Sequence, residues 1–394
     1  MNHFNNAIDI VAKLRPDVPV AANRPHVVKR AAKWFLRNFA GDILYAVKAN
    51  PSVWVLDTLW EAGVRNFDVA SINEIQLIYN RFKGANLAFM HPVKNRNAIA
   101  RAYHEFGVRT FSLDSMAELE KIREATGYAN DLNLLIRLSV SNTSSSISLD
   151  GKFGIKGDEA VELLRAARAV TREDLGICFH VGSQCMDPHA YVRAMDAAKS
   201  LIIQAGVVID ILDVGGGFPV NYRGINPPDM KQYMSLIAQK FESMPVTENC
   251  SLWCEPGRAL VAEATSIITR VELVKGDMVY LNDGAYGNLF DATHVQWPFE
   301  TRHIRADETL QGKMKPFKLY GPTCDSIDAL QTEYYLHEDV KEGDYIEFMM
   351  LGAYGVAMTT GFNGFGETLE VISNDLPHVS MFDEADKIIL TTEA

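Results

Sequence analysis

The chain has 394 residues, 47% of them hydrophobic and 22% charged, which is enough for two domains with sizeable cores and too apolar for a disordered chain. Its net charge of −12 disfavours attraction to phosphate backbones, and no dense basic run is interleaved with aromatic residues, so nucleic acid is not an expected partner. The opening MNHFNNAIDIVAKLRPD lacks the apolar core of a signal peptide and no stretch is long enough to span a bilayer; with an odd count of five cysteines, this predicts a cytoplasmic protein with no membrane partner.

From residue 43 short β-rich runs alternate with helical stretches. The runs are ILYAVK (43–48), RNFDVA (65–70), NLAFMH (86–91), RTFSLD (109–114), NLLIRLSV (133–140), GICFHV (176–181), DILDVG (210–215) and SLWCEP (251–256). Most lead into helical spacing such as SINEIQLIYNRF or SMAELEKIREAT, each opened by a serine able to cap it. Eight parallel βα units predict an α/β fold, a closed (β/α)8 barrel over residues 40–261. SVSNTSSSISLDGKFG reads as a polar, mobile loop after the fifth strand. The rhythm then changes: ATSIITRVELVKGDMVYLNDG and VKEGDYIEFMMLGAYGVAM read as strands joined by Gly-Asp turns. A mainly β domain is expected over residues 262–394, with residues 1–39 contributing a strand or helix.

In such a barrel the chemistry collects where the strands end. The first run ends in Lys48, the second holds Asp68, the fifth Arg137 and the sixth His180; the seventh opens into Gly215-Gly216-Gly217 and the eighth into Glu255-Pro256-Gly257-Arg258. A lysine in an apolar rim is costly unless used, and desolvation there would depress its pKa toward the nucleophilic amine that Schiff-base chemistry needs. The bland alternative is a lysine whose stem follows the strand while its head reaches solvent. Three glycines offer bare N–H groups to a phosphate, and Ser183 and Arg258 at neighbouring strand ends add to an anion site; the alternative is a ligand-free turn. Glu255 is an acceptor for a protonated pyridine nitrogen, or else a salt-bridge partner of Arg258. His180 is a flat side chain to stack on a ring, or a packed polar residue. Cys250 and Cys254 in CSLWC lack the second pair or nearby histidine of a metal site, so no metal is expected.

Taken together, YAVKAN, FDVAS, FHVGSQ, DVGGGFP, EPGR, YGPTCDSID, GAYGVAM and GFNGF resemble the barrel-fold, fold type III pyridoxal-phosphate decarboxylases of basic amino acids, and most closely their ornithine-cleaving branch. The resemblance spans residues 40 to about 370. It implies pyridoxal 5'-phosphate anchored on Lys48, with Glu255 at the pyridine nitrogen and His180 against the ring face. It assigns Ser183, Gly217, Arg258 and Tyr354 to the phosphate and Gly215, Gly216, Pro256 and Gly257 to cofactor binding, with Asp68, Glu74 and Arg137 lining the pocket. Cys324 is implied as the proton donor to the α carbon, and Asp291 and Asp325, with Tyr286 and Phe362, as the receivers of the substrate's distal end. Cys324 read alone would more often be a small buried residue. The implied enzyme is a homodimer in which the loop carrying Cys324 reaches the partner's barrel. Its implied reaction is decarboxylation of L-ornithine to putrescine in polyamine biosynthesis, or of lysine and ornithine both. A diaminopimelate enzyme, or a non-catalytic regulatory relative such as an antizyme inhibitor, fits less well. Between Tyr286 and Asp291 stands only GNLF, shorter than in the eukaryotic ornithine enzymes.

Overall fold

The computed structural model describes residues 1–140, 145–147, 151–246, 248–295, 298–377 and 379–382. Eight parallel strands form a closed barrel: Asp42–Ala46, Asn66–Val69, Asn86–Phe89, Thr110–Leu113, Asn133–Leu138, Leu175–Phe179, Ile211–Asp213 and Ser251–Cys254. The eighth closes on the first through Trp253 opposite Asp42 and Cys254 opposite Ile43. Each strand lies inside one of the predicted runs or within a residue of it. Both faces are buried, as a parallel barrel requires. Leu44, Ala88, Met90, Leu135, Cys178 and Ile211 form one cluster inside, while their neighbours along the strands, such as Ile43, Tyr45, Leu134 and Ile136, pack outward with the helices.

The predicted serine caps are present. Ser71 Oγ and Ser115 Oγ each accept an N–H at 3.2 Å, from Glu74 and Glu118 respectively, and Glu74 Oε2 reaches back to the Ala70 N–H at 2.6 Å. Such a reciprocal cap is worth about 1 kcal/mol and fixes the helix that follows the second strand.

The second sheet is mainly antiparallel and is organised around the long strand Thr265–Lys275. Gly276, at φ +63°, turns that strand into Met278–Leu281, as the first Gly-Asp pair predicted. The second pair, Gly343-Asp344, makes no hairpin. It leads into Tyr345–Phe348, which pairs with Thr265–Lys275 and Thr301–Ile304, and the buried Asp344 carboxylate is taken up by His303 Nε2 at 3.0 Å and Arg305 Nε at 2.7 Å. Strands His3–Phe4 and Val20–Asn23 join this sheet, whereas helix Pro25–Asn38 packs on helix Val53–Ala62 of the barrel. The amino-terminal segment is therefore divided between the two. Most of the polar loop after the fifth barrel strand lies outside the described residues; Ser145–Ile147 pairs with Ser183–Cys185. No helix among the described residues is long and apolar enough to cross a membrane.

Candidate active site

The first barrel strand ends at Ala46, so Lys48 stands not on the strand but in the 3-10 turn Val47–Ala49 beyond it. That turn aims its ammonium across to the second strand, where Asp68 is the register partner of Ala46, and Lys48 Nζ lies 2.7 Å from Asp68 Oδ2. The expected depression of the lysine pKa is not found. Burial does pull it down, but the Asp68 and Glu255 carboxylates and Tyr354 outweigh burial and hold the group above its ordinary value. The Lys48 side chain is 43% accessible and Asp68 only 1%, so the lysine opens into a cleft while its counter-charge is locked behind it.

That cleft brings Lys48 together with His180, Ser183, Glu255 and Arg258 beyond the ends of the first, sixth and eighth barrel strands and with Tyr354 of the β domain, and Gly216 and Gly217, after the seventh strand, form part of its wall. Arg258 is buried, and its NH1 donates to Tyr222 Oη at 2.7 Å and to Asp291 Oδ2 at 2.5 Å. Its partner is thus Asp291 rather than Glu255, and Asp291, expected to receive substrate, is buried in that pair. The physical reason is reach: the helical turn Phe290–His294 sets the carboxylate directly against the guanidinium. Arg258 Nε remains buried without an acceptor among the described residues.

Gly217 has φ +97°, and a Cβ there would stand 2.3 Å from the Gly182 carbonyl oxygen, so only glycine fits. The Gly215 N–H is already given to Asp213 Oδ1 at 2.7 Å, which leaves Gly216 and Gly217 as the members of the triplet on the cleft wall. Pro256 O accepts the Ala46 N–H at 3.4 Å and Gly257 packs against Ala46 and Ala49, tying the eighth strand end to the Lys48 turn. Tyr354, at φ +55°, stands over Arg258 with the guanidinium carbon 4.9 Å from its ring centre.

Burial, with the Arg137 and Lys48 charges, pushes His180 down to about 3, so the imidazole is neutral. Its Nδ1 accepts the Gly182 N–H at 3.0 Å, which assigns the ring proton to Nε2. Burial first, and then the Asp213 and Asp68 carboxylates, raise Glu255 well above the carboxylate range against the pull of Lys48 and Arg137. Glu74, besides capping its helix, is raised mainly by burial.

A second group sits on the β domain. Tyr286 Oη donates to Asp325 Oδ2 at 2.6 Å and this bond, helped by the Ile327 N–H, lowers the Asp325 carboxyl further. The Tyr286 and Phe362 rings lie 4.6 Å apart, and the exposed Cys324 is held by its N–H to Asn363 Oδ1 at 3.1 Å. None of Cys324, Asp325 and Phe362 lines the Lys48 cleft of the same chain. Sequence reasoning singled out the members of both groups but missed Asp213, a lone acid ahead of the glycine triplet, and Tyr222, for which no local signal exists.

The donor set fits pyridoxal 5'-phosphate. The unpaired Arg258 Nε and the bare wall at Gly216 and Gly217 suit its phosphate, Glu255 its ring nitrogen, and the Lys48 amine its aldehyde. Residues 25–262 match the family model for the pyridoxal-dependent decarboxylase, pyridoxal binding domain. The chain is 32% identical to a lysine/ornithine decarboxylase of Selenomonas ruminantium over 344 residues, 85% of this chain and 84% of the relative. It is 31% identical to an ornithine decarboxylase of Saccharomyces cerevisiae over 362 residues, 84% and 75%. Its fold superposes with TM-score 0.82, at 27% identity, on the arginine decarboxylase of Paramecium bursaria Chlorella virus bound to agmatine, covering 92% of this chain and 98% of that one. The chain belongs to the pyridoxal-dependent decarboxylases and is a pyridoxal 5'-phosphate-dependent decarboxylase of basic amino acids.

Proposed function

We propose that the enzyme converts L-ornithine to putrescine and carbon dioxide, and that it does so as a homodimer whose sites each draw on both chains. The observation that carries the substrate reading is Asp325: a half-buried carboxylate beside Cys324, kept ionised by Tyr286, is built to receive a distal ammonium. The observation that carries the dimer is the placement of Cys324 and Asp325 outside the Lys48 cleft, since a proton donor must reach the carbon it serves.

The cofactor supplies an electron sink for the pair left behind when the bond from the α carbon to the carboxyl group breaks. Lys48 is its anchoring amine, with Asp68 placed to take the ammonium proton. Arg258, Ser183, Gly216, Gly217 and Tyr354 would hold the phosphate and Glu255 the ring nitrogen, while neutral His180 would pack on the ring without adding charge. Arg137, which is not part of the cleft wall, adds positive field at His180 and Glu255. The partner's Cys324 delivers the proton that replaces carbon dioxide on the α carbon.

L-Lysine is the second reading, supported by the relative named for both substrates. One methylene in a pocket is worth only about 1–3 kcal/mol, so the two readings separate by rate and not by presence or absence. The test is competition among ornithine, lysine, arginine and diaminopimelate with the products identified. Putrescine should dominate; dominance of cadaverine establishes the lysine reading, and dominance of agmatine, or of lysine formed from isotope-labelled diaminopimelate, removes both.

A further inference from the structure

Asp213, at the end of the seventh barrel strand, is fully buried, and Glu255, just past the end of the eighth, is 9% exposed. Asp213 Oδ1 accepts the Gly215 N–H at 2.7 Å, but Oδ2 is buried with no donor among the described residues. The backbone holds Glu255 beside it: Asp213 is the register partner of Trp253 on the eighth strand, and the Glu255 N–H is given to the oxygen of Gly215, the residue whose own N–H Asp213 accepts. Two acids so placed in a dry site cannot both ionise cheaply, and a carboxyl oxygen that lacks a donor is satisfied once its neighbour carries a hydrogen.

We propose that Asp213 and Glu255 hold one proton between them, so that the pair presents a single negative charge to the cofactor's pyridine nitrogen, with Asp213 as the positioning residue. The part that concerns the pyridine nitrogen rests on the role proposed for Glu255. The remaining charges around the pair fit this count. Asp68 on the second strand adds a negative field, Lys48 and Arg137 add positive ones, and the facing thiols Cys178 and Cys254 are held neutral by burial and by these two acids. Consistent with a shared proton, burial raises both groups, Asp213 to about 6.

The arrangement has a chemical use. Two ionised acids would overcompensate a pyridinium, and two neutral ones would leave it no counter-charge. In the cofactor-free protein Glu255 carries the proton and gives it to Asp213 Oδ2; against a cationic ring the proton would pass to Asp213, leaving Glu255 a carboxylate toward the ring nitrogen that the Asp213 hydroxyl orients from behind.

Infrared spectroscopy of the holoenzyme at neutral pH tests this. The wild type should show the carbonyl stretch of one protonated buried carboxyl per subunit, and Asp213→Asn, which keeps a donor toward Glu255 but has no proton to lose, should abolish it. A wild type without that band, or an Asp213→Asn holoenzyme that retains it, overturns the proposal; the wild-type result stands even if the variant does not fold. The ¹⁵N shift of the bound cofactor's ring nitrogen in Glu255→Gln separates the two claims. A nitrogen that stays protonated there removes Glu255 from the ring, whatever the infrared band shows.

Discussion

The Lys48 ammonium lies 2.7 Å from the buried Asp68 carboxylate, the largest of the influences that together outweigh burial and keep the amine charged. In cofactor-free protein, Asp68→Asn should lower the Lys48 pKa, because the largest upward influence is gone while burial remains. Labelling of Lys48 by an amine reagent at pH 9 should quicken about tenfold for each unit of fall. An unchanged rate would mean that Asp68 does not control the amine.

Lys48→Ala should eliminate the visible absorbance of the bound cofactor and lower turnover by about 10⁴-fold, since no other lysine among the described residues lines the cleft. Borohydride reduction of the wild type should label the peptide containing Lys48. A variant that keeps the visible band would remove Lys48 from its assigned place.

Asp291→Ala should destabilise the fold by about 3–5 kcal/mol in urea unfolding, because it strands the buried Arg258 guanidinium. A loss below about 1 kcal/mol, with a raised KM for ornithine, would return Asp291 to the substrate.

The pH dependence of stability carries the signature of His180. Its folded-state value, about 3, lies below the ordinary value of about 6.5, so between them the unfolded chain binds a proton that the folded one does not. The stability it contributes is present above pH 6.5 and is lost as pH falls toward 3. Asp213 and Asp283, raised to about 6 chiefly by burial, act in the opposite sense and are common to the wild type and a His180 variant. The difference between wild type and His180→Gln in urea unfolding should therefore shift against the wild type on going from pH 7 to pH 5. A difference that is flat over this range would mean that His180 is protonated in the fold.

Asp325→Ala should raise KM for ornithine by tenfold or more, on the scale of about 1.5–3 kcal/mol for a charged hydrogen bond, with cofactor absorbance unchanged. Tyr286→Phe should move KM the same way by less, since it removes only the hydrogen bond at 2.6 Å that orients the carboxylate. Equal loss of cofactor from Asp325→Ala would place that acid at the cofactor instead.

Much of this site was legible in the sequence because barrel strands expose their last residues in register. Lys48, His180, the glycine triplet and Glu255 stand at or beside the run ends that periodicity marks, with Asp68 and Arg137 inside their runs. What was not legible depends on pairs distant in the chain. The direction of the Lys48 shift is decided by Asp68, the fate of Arg258 by Asp291 and Tyr222, and the state of Glu255 by Asp213. Local pattern also missed that Gly343-Asp344 ends in a buried Arg305 and His303 network instead of a hairpin. The division of the amino-terminal segment had the same cause: Val20–Asn23 carries a strand pattern and Pro25–Asn38 a helical one, but neither names its partner.

The central claim is that Lys48 and Cys324 act on one substrate from different chains. A dimer of one Lys48→Ala chain and one Cys324→Ala chain has one site with both defects and one with neither. Random pairing makes about half of the dimers mixed, each with one intact site of two, as expected for a closed symmetric pair. Refolding the two variants together should therefore recover roughly a quarter of wild-type activity, against the small sum of the two refolded separately. If mixed dimers form and the rate is only that sum, both residues serve the same barrel, and the shared site is wrong.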